Sequence, residues 1–271
     1  MSARRIAVLL AALGTTGMLL AATPAATPRL PDGKPDLNGT WENGGGIDFL
    51  KPVTRADGSV CVTGCVQGAP TSAAAAAAQA PVPAIGTARP KYKPEFTARV
   101  DDLKKRQQKE DGVLRCQPPG VPRIGPPDKI VQTGREIVFL YEDVSGPFFR
   151  IVPLKAGVKR ADDSETFLGD AEGHWEGDTL VVISRNFNDL TWLTDDGAFH
   201  SNALVVTERL TRQGNEIEWL AKVDDPKVLA EPWQLRPRRM TLTDVEMAEP
   251  APCVEQDMSH MKDDSYHSNP R

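Results

Sequence analysis

Residues 129–242 form a succession of short apolar runs separated by turn residues, and one run fixes how the others are read. Ile217, Trp219, Ala221 and Val223 alternate with Glu216, Glu218 and Lys222, the period-two pattern of a strand with one buried and one wet face. Runs at 130–133, 136–141, 148–154, 203–210 and 233–242, and a pair around Glu176-Gly177-Asp178, have the length and composition of further strands. With so many short connections they read as an antiparallel meander. Seven or eight strands spaced at roughly 10 to 20 residues suit a curled sheet or barrel better than separate small domains. The 23 prolines, 22 glycines and 6% aromatic content favour short strands and turns over long helices.

Around this core the chain changes character. Arg4 and Arg5 precede an apolar stretch from Ile6 to Ala22, followed by Thr23-Pro24-Ala25, the pattern of a signal peptide over 1–25 cleaved near Ala25. The mature chain would then hold 30 basic and 37 acidic residues, a net charge of −7. Residues 26–90 read as a Pro/Gly/Ala-rich arm and linker, with Gly39-Thr40-Trp41 as its first strand and six consecutive alanines further on. Within 91–112, Phe96, Val100 and Leu103 at helical spacing predict one short amphipathic helix over 94–111. The core is expected over 113–250 and a polar tail over 251–271. No later segment is apolar enough to span a bilayer, and no basic run interleaved with aromatics suggests nucleic acid.

Four cysteines in an exported chain read as disulfides. Three connectivities are open, and Cys61–Cys65 with Cys116–Cys253 is the one expected; the second bridge would close a loop of more than 100 residues, a stabilisation of about 4 to 5 kcal/mol in the chain-entropy model. A four-cysteine zinc site is the alternative, weakened by having only one close pair. Met258, His260, Met261 and His267 in the tail are ligand types that suit copper, but an incidental polar tail is the favoured reading. No spacing places two histidines on one element, so no metal site is expected in the core. Neither Gly-x-Gly-x-x-Gly nor a Walker pattern occurs, so no nucleotide, nicotinamide or other cofactor is expected.

The core resembles a large family of exported bacterial proteins of unassigned function. The resemblance is carried by Cys116-Gln-Pro-Pro-Gly-Val-Pro-Arg123, Ile130-Val-Gln-Thr133, Trp175-Glu-Gly-Asp-Thr-Leu-Val-Val182, Phe187-Asn-Asp-Leu-Thr-Trp-Leu193 and His200-Ser-Asn-Ala-Leu204. It runs from about Gly39 to Cys253 and implies a lipocalin-type or calycin-like β-barrel. After Arg150 the chain departs from the pattern, with Pro153-Leu-Lys-Ala-Gly-Val158 in place of a second basic residue and an Asp-Gly turn. The fold expected is therefore mainly β: an antiparallel meander forming a curled sheet or lipocalin-like barrel, with one short helix and a Pro/Ala-rich N-terminal arm.

Chemistry-bearing residues crowd the segment 173–202. His200 is the expected proton carrier, because imidazole titrates near neutral pH and the residue stands where an Asp-rich loop enters a strand. Asp195 or Asp196 would orient it. If 200–210 is one strand, His200 and Glu208 share its apolar face about 26 Å apart, too far to act as one pair. Glu208 would be either a carboxyl with a raised pKa inside the barrel or the ion-pair partner of Arg236, Arg238 or Arg239. Asp178 is a turn residue or an assisting acid. Trp175, Phe187 and Trp192 are expected to line a pocket, with Asn188 or Asn202 polarising an oxygen. With no Gly-x-Ser-x-Gly elbow, a serine hydrolase is not expected.

These expectations describe an exported, periplasmic or extracellular barrel that performs cofactor-independent acid–base chemistry of the lyase, isomerase or hydratase type on a small, largely apolar organic molecule. Two alternatives share the fold: a periplasmic binding protein without turnover, and an envelope interaction module that uses the arm.

Overall fold

The computed structural model describes residues 26–43, 53–54, 60–61, 89–155, 157–158, 162–249 and 253. The expected leader over 1–25, most of the Pro/Ala arm, Cys65 and the Met/His tail lie outside them.

Nine antiparallel strands form a nearly closed barrel, as the alternation requires. They are β1 (Gly39–Glu42), β4 (Lys129–Gln132), β5 (Glu136–Asp143), β6 (Gly146–Pro153), β7 (Asp170–Glu176), β8 (Thr179–Arg185), β9 (Val205–Gln213), β10 (Glu216–Asp224) and β12 (Arg238–Thr243). Their order around the barrel is β6-β5-β4-β1-β12-β10-β9-β8-β7, and β11 (Trp233–Gln234) pairs with β10 beside the path. A separate two-stranded ladder joins β2 (Val53–Thr54) to β3 (Val60–Cys61). β1, drawn from the expected arm, is a stave of the barrel: Trp41 pairs with Leu242 of β12 while Gly39 pairs with Ile130 of β4. Trp41 is buried, donates from Nε1 to Leu37 O at 3.0 Å and has Arg212 across its ring. In the β7–β8 hairpin, Gly177 takes the positive φ of 59° that its turn demands.

Three expectations need correction. The strand expected over 233–242 is two pieces, because Pro237 between them has no N–H to donate to a ladder. The helix expected over 94–111 is α1 (Pro94–Lys105) and a single further turn, α2 (Gln107–Glu110), with the break at Arg106. β9 starts at Val205, after the Ala203 expected, and does not reach back to His200, because Ser201 is held in a turn: Asp225 accepts from its N–H at 2.6 Å and its hydroxyl at 2.9 Å.

Two apolar clusters fill the molecule. One occupies the barrel, with Trp41, Phe139, Tyr141, Val152, Leu180, Leu210 and Trp219 among its members. The other lies where β9 begins and β10 ends, and brings Val206 and Val223 together with Phe187, Trp192, Phe199 and Trp233. Tyr92, Phe96, Val100 and Leu103, the last three from α1, pack against that second cluster. Phe199 is gripped there by stacking on Tyr92, an edge contact with Phe96 and the Arg99 guanidinium at 3.9 Å.

The barrel is incomplete between β6 and β7. No backbone hydrogen bond joins these strands among the described residues. They meet through side chains instead: a Cβ on Gly173 of β7 would lie 2.7 Å from Val152 Cγ1 and 3.1 Å from Leu154 Cδ2. A glycine there lets β6 side chains cover the β7 backbone. Cys116 and Cys253 are bonded, with Cα atoms 5.7 Å apart across 137 residues of sequence.

Candidate functional site

The levels of β6, β8 and β9 that lie between the two apolar clusters carry polar residues. Inward parity on β9 places Glu208 between Val206 and Leu210; on β8 it places Ser184 beyond Val182, and on β6 Arg150 before Val152. Arg150 and Glu208 therefore meet in the interior, Nη2 to Oε2 at 2.6 Å. The same Nη2 donates to Ser184 Oγ at 2.7 Å and Nη1 donates to Tyr141 OH at 3.1 Å. Trp219 Nε1 donates to the other Glu208 oxygen at 3.1 Å. Among the described residues Arg150 Nε has no hydrogen-bond partner. Burial opposes the Arg150 charge, but Glu208 and Tyr141 more than offset it, so its pKa stays above the ordinary guanidinium value. Burial holds the Tyr141 phenol well above its ordinary pKa, so it remains an O–H.

A cavity of about 730 Å³ lies over the β6–β7 seam, within the size range of small-molecule sites. Outward side chains Phe149 and Ile151 of β6 form one wall, Ile183 of β8 another, and Phe167 and Leu168 of the β6–β7 connection a third. Arg150 is among the lining residues. The connection is anchored opposite β8: Thr166 N–H donates to Asn186 O at 3.1 Å, Asn188 N–H donates to Thr166 O at 2.8 Å, and Asn186 Nδ2 donates to Asp170 Oδ2 at 2.9 Å. Phe149 and Ile151 are 63% and 48% exposed, so apolar surface faces open space there.

The residues expected from sequence do not assemble into one site. His200 is buried in the second cluster, with the Phe187 ring edge-on at 6.1 Å. Its Nδ1 lies 3.0 Å from Ser201 O, which can only accept, and its Nε2 lies 2.7 Å from Thr191 Oγ1. The ring thus carries its hydrogen on Nδ1 and accepts from the Thr191 hydroxyl at Nε2. Burial lowers its pKa against the opposing pull of the Ser201 carbonyl, Asp225 and Asp189. Neither expected orienting acid bonds it: Asp195 pairs with Arg123, and Asp196 with Arg89 and Thr194. Glu208 bonds Arg150 rather than Arg236, Arg238 or Arg239.

Asp178 sits at the β7–β8 turn, paired with Arg29 through two hydrogen bonds at 2.8 and 2.6 Å. Trp175 packs against the barrel cluster with Lys34 above its ring. Phe187 and Trp192 belong to the core cluster that surrounds His200. Asn188 Oδ1 accepts from Leu190 N–H, and exposed Asn202 links Glu165 to Lys227. Arg123 of the Pro-rich loop is also structural in its contacts, forked onto Asp111 at 2.7 and 2.8 Å with Asp195 on its Nε. Among the described residues no group of three His, Cys, Asp or Glu side chains converges to hold a metal ion.

Sequence reasoning passed over Arg150 and the cavity walls. The signal was present in Phe148-Phe149-Arg150-Ile151-Val152: strand parity there turns a charge inward and two large apolar groups outward. Compared with family models, with curated proteins and with solved structures, the chain matches none.

Proposed function

We propose that this protein is an exported binding protein that holds a small, largely apolar organic molecule in the cavity over the β6–β7 seam, without turning it over. The observation that carries the reading is the cavity itself, about 730 Å³ and walled by Phe149, Ile151, Phe167, Leu168 and Ile183. Partly exposed apolar groups of this size, gathered around one concavity, are characteristic of ligand sites. The barrel interior offers less room, since Trp41, Trp219, Tyr141 and Phe139 are all buried within it. His200 supports catalysis poorly: both ring nitrogens are engaged and it contributes nothing to the cavity lining. The leader-like N-terminus, the resemblance to exported proteins and the Cys116–Cys253 bridge support a location outside the cytoplasm.

Fluorescence titration of the purified mature chain with Nile red, a neutral apolar dye, tests the site. Saturable uptake is expected, weakened at least about tenfold by Ile151→Asp because a charge on the wall replaces apolar contact. No uptake, or uptake indifferent to Ile151→Asp in a folded variant, would remove the seam as the site. Consumption of any compound when the protein is incubated with a metabolite extract and followed by mass spectrometry would overturn the absence of turnover.

A further inference from the structure

We propose that the ligand of the seam cavity carries a neutral hydrogen-bond acceptor, a carbonyl or hydroxyl oxygen, and that Arg150 Nε is the donor that recognises it. This rests on the binding reading above and adds the chemical class of the ligand.

Three of the five guanidinium hydrogens of Arg150 are engaged, and among the described residues Nε is its one nitrogen without a partner. Nη2 serves Glu208 and Ser184, and Nη1 serves Tyr141. The Glu208 carboxylate already balances the guanidinium charge, so the open position calls for a lone pair rather than an anion. Phe139 offers the guanidinium a π face 5.7 Å away but no lone pair. Buried donors in folded proteins are nearly always satisfied. A buried nitrogen left without any partner, on a residue that lines a cavity, identifies what the cavity's occupant must bring.

Nε is covered, so an acceptor reaches it only if the seam parts. The seam is built to allow this at low cost. Leu154 N–H donates to Arg135 O on the β5 side, and the alternation of an antiparallel ladder then turns the N–H and C=O of Phe149 and Ile151 away from β5, toward β7. No strand–strand hydrogen bond receives them among the described residues. What parts is side-chain packing of Val152 and Leu154 on Gly173, and the ligand's own apolar surface replaces it against Phe149 and Ile151.

The test compares 2-acetylnaphthalene with 2-ethylnaphthalene, two probes of nearly the same shape of which only the first carries a carbonyl oxygen. Wild-type protein is expected to bind the acetyl compound at least about tenfold more tightly. Arg150→Lys, which keeps a cation beside Glu208 but has no Nε, should bind both with equal affinity. If that variant fails to fold, the paired change Arg150→Met with Glu208→Leu serves in its place, with the same loss of preference expected. In wild type, the Arg150 Nε–Hε resonance should move on adding the acetyl probe and stay in place with the ethyl probe. Equal affinities in wild type, or a preference that survives loss of Nε, would overturn the inference while leaving an apolar site intact. Failure of both probes to bind would overturn the binding reading and this inference with it.

Discussion

His200 and Glu208 are both titratable residues enclosed by apolar ones, and the protein handles them differently. His200 is kept neutral. Its folded pKa lies below the ordinary 6.5 because burial disfavours the charged ring, so the unfolded chain takes up a proton at a pH where the folded chain does not. Stability should therefore be full above about pH 7 and fall as pH drops through 6.5 toward the folded value, by at most about 1.4 kcal/mol per pH unit. Urea unfolding of wild type and His200→Gln between pH 5 and 8 checks this, since the variant should lack that part of the slope. Glu208 is instead paired with buried Arg150. Glu208→Gln strands a buried guanidinium and should cost about 3 to 5 kcal/mol, much of it recovered when Arg150→Met and Glu208→Leu are made together; chemical denaturation of the single and paired variants would show whether it is. From sequence, the inward parity of Glu208 on β9 was legible. Its partner was not, because Arg150 lies 58 residues away and only barrel closure brings β6 opposite β9.

At the scale of elements, the sequence spoke most clearly where pattern is local. The Ile217-to-Val223 alternation, the Glu176-Gly177-Asp178 hairpin and the Gly39-Thr40-Trp41 strand all appear as read. One misreading arose where a distant residue intervenes, Asp225 folding Ser201 into a turn that leaves His200 outside β9, while the split of the 233–242 run has a local cause in Pro237. The seam was beyond sequence altogether, since nothing local marks which two strands will fail to pair. Gly173 is where side chains from the β6 side lie against the β7 backbone. Gly173→Ala would push a methyl against Val152 and Leu154, at an expected cost of about 1 to 3 kcal/mol. Thermal unfolding measures that cost, and Nile red uptake by the same variant should change with it, because the seam must widen.

Across the whole molecule, Cys116–Cys253 ties the Pro-rich loop to the segment after β12 and spans 137 residues. Removing it with Cys116→Ser together with Cys253→Ser should lower stability by about 4 to 5 kcal/mol in the chain-entropy model, read as the shift in guanidinium midpoint between the variant and the oxidised protein. The placement of β1 has another outcome. It is the first strand of the barrel to be synthesised, yet it lies between β4 and the last strand, β12, and the Trp41–Leu242 pair joins residues about 200 apart in the chain. Contacts so distant in sequence slow folding. Until β12 leaves the ribosome, Trp41 has no lasting neighbour on that side, and no strand ladder links the three-strand piece β4–β6 to β7–β10. The barrel can therefore close only once nearly the whole chain has been delivered, and until then its interior is available to a chaperone.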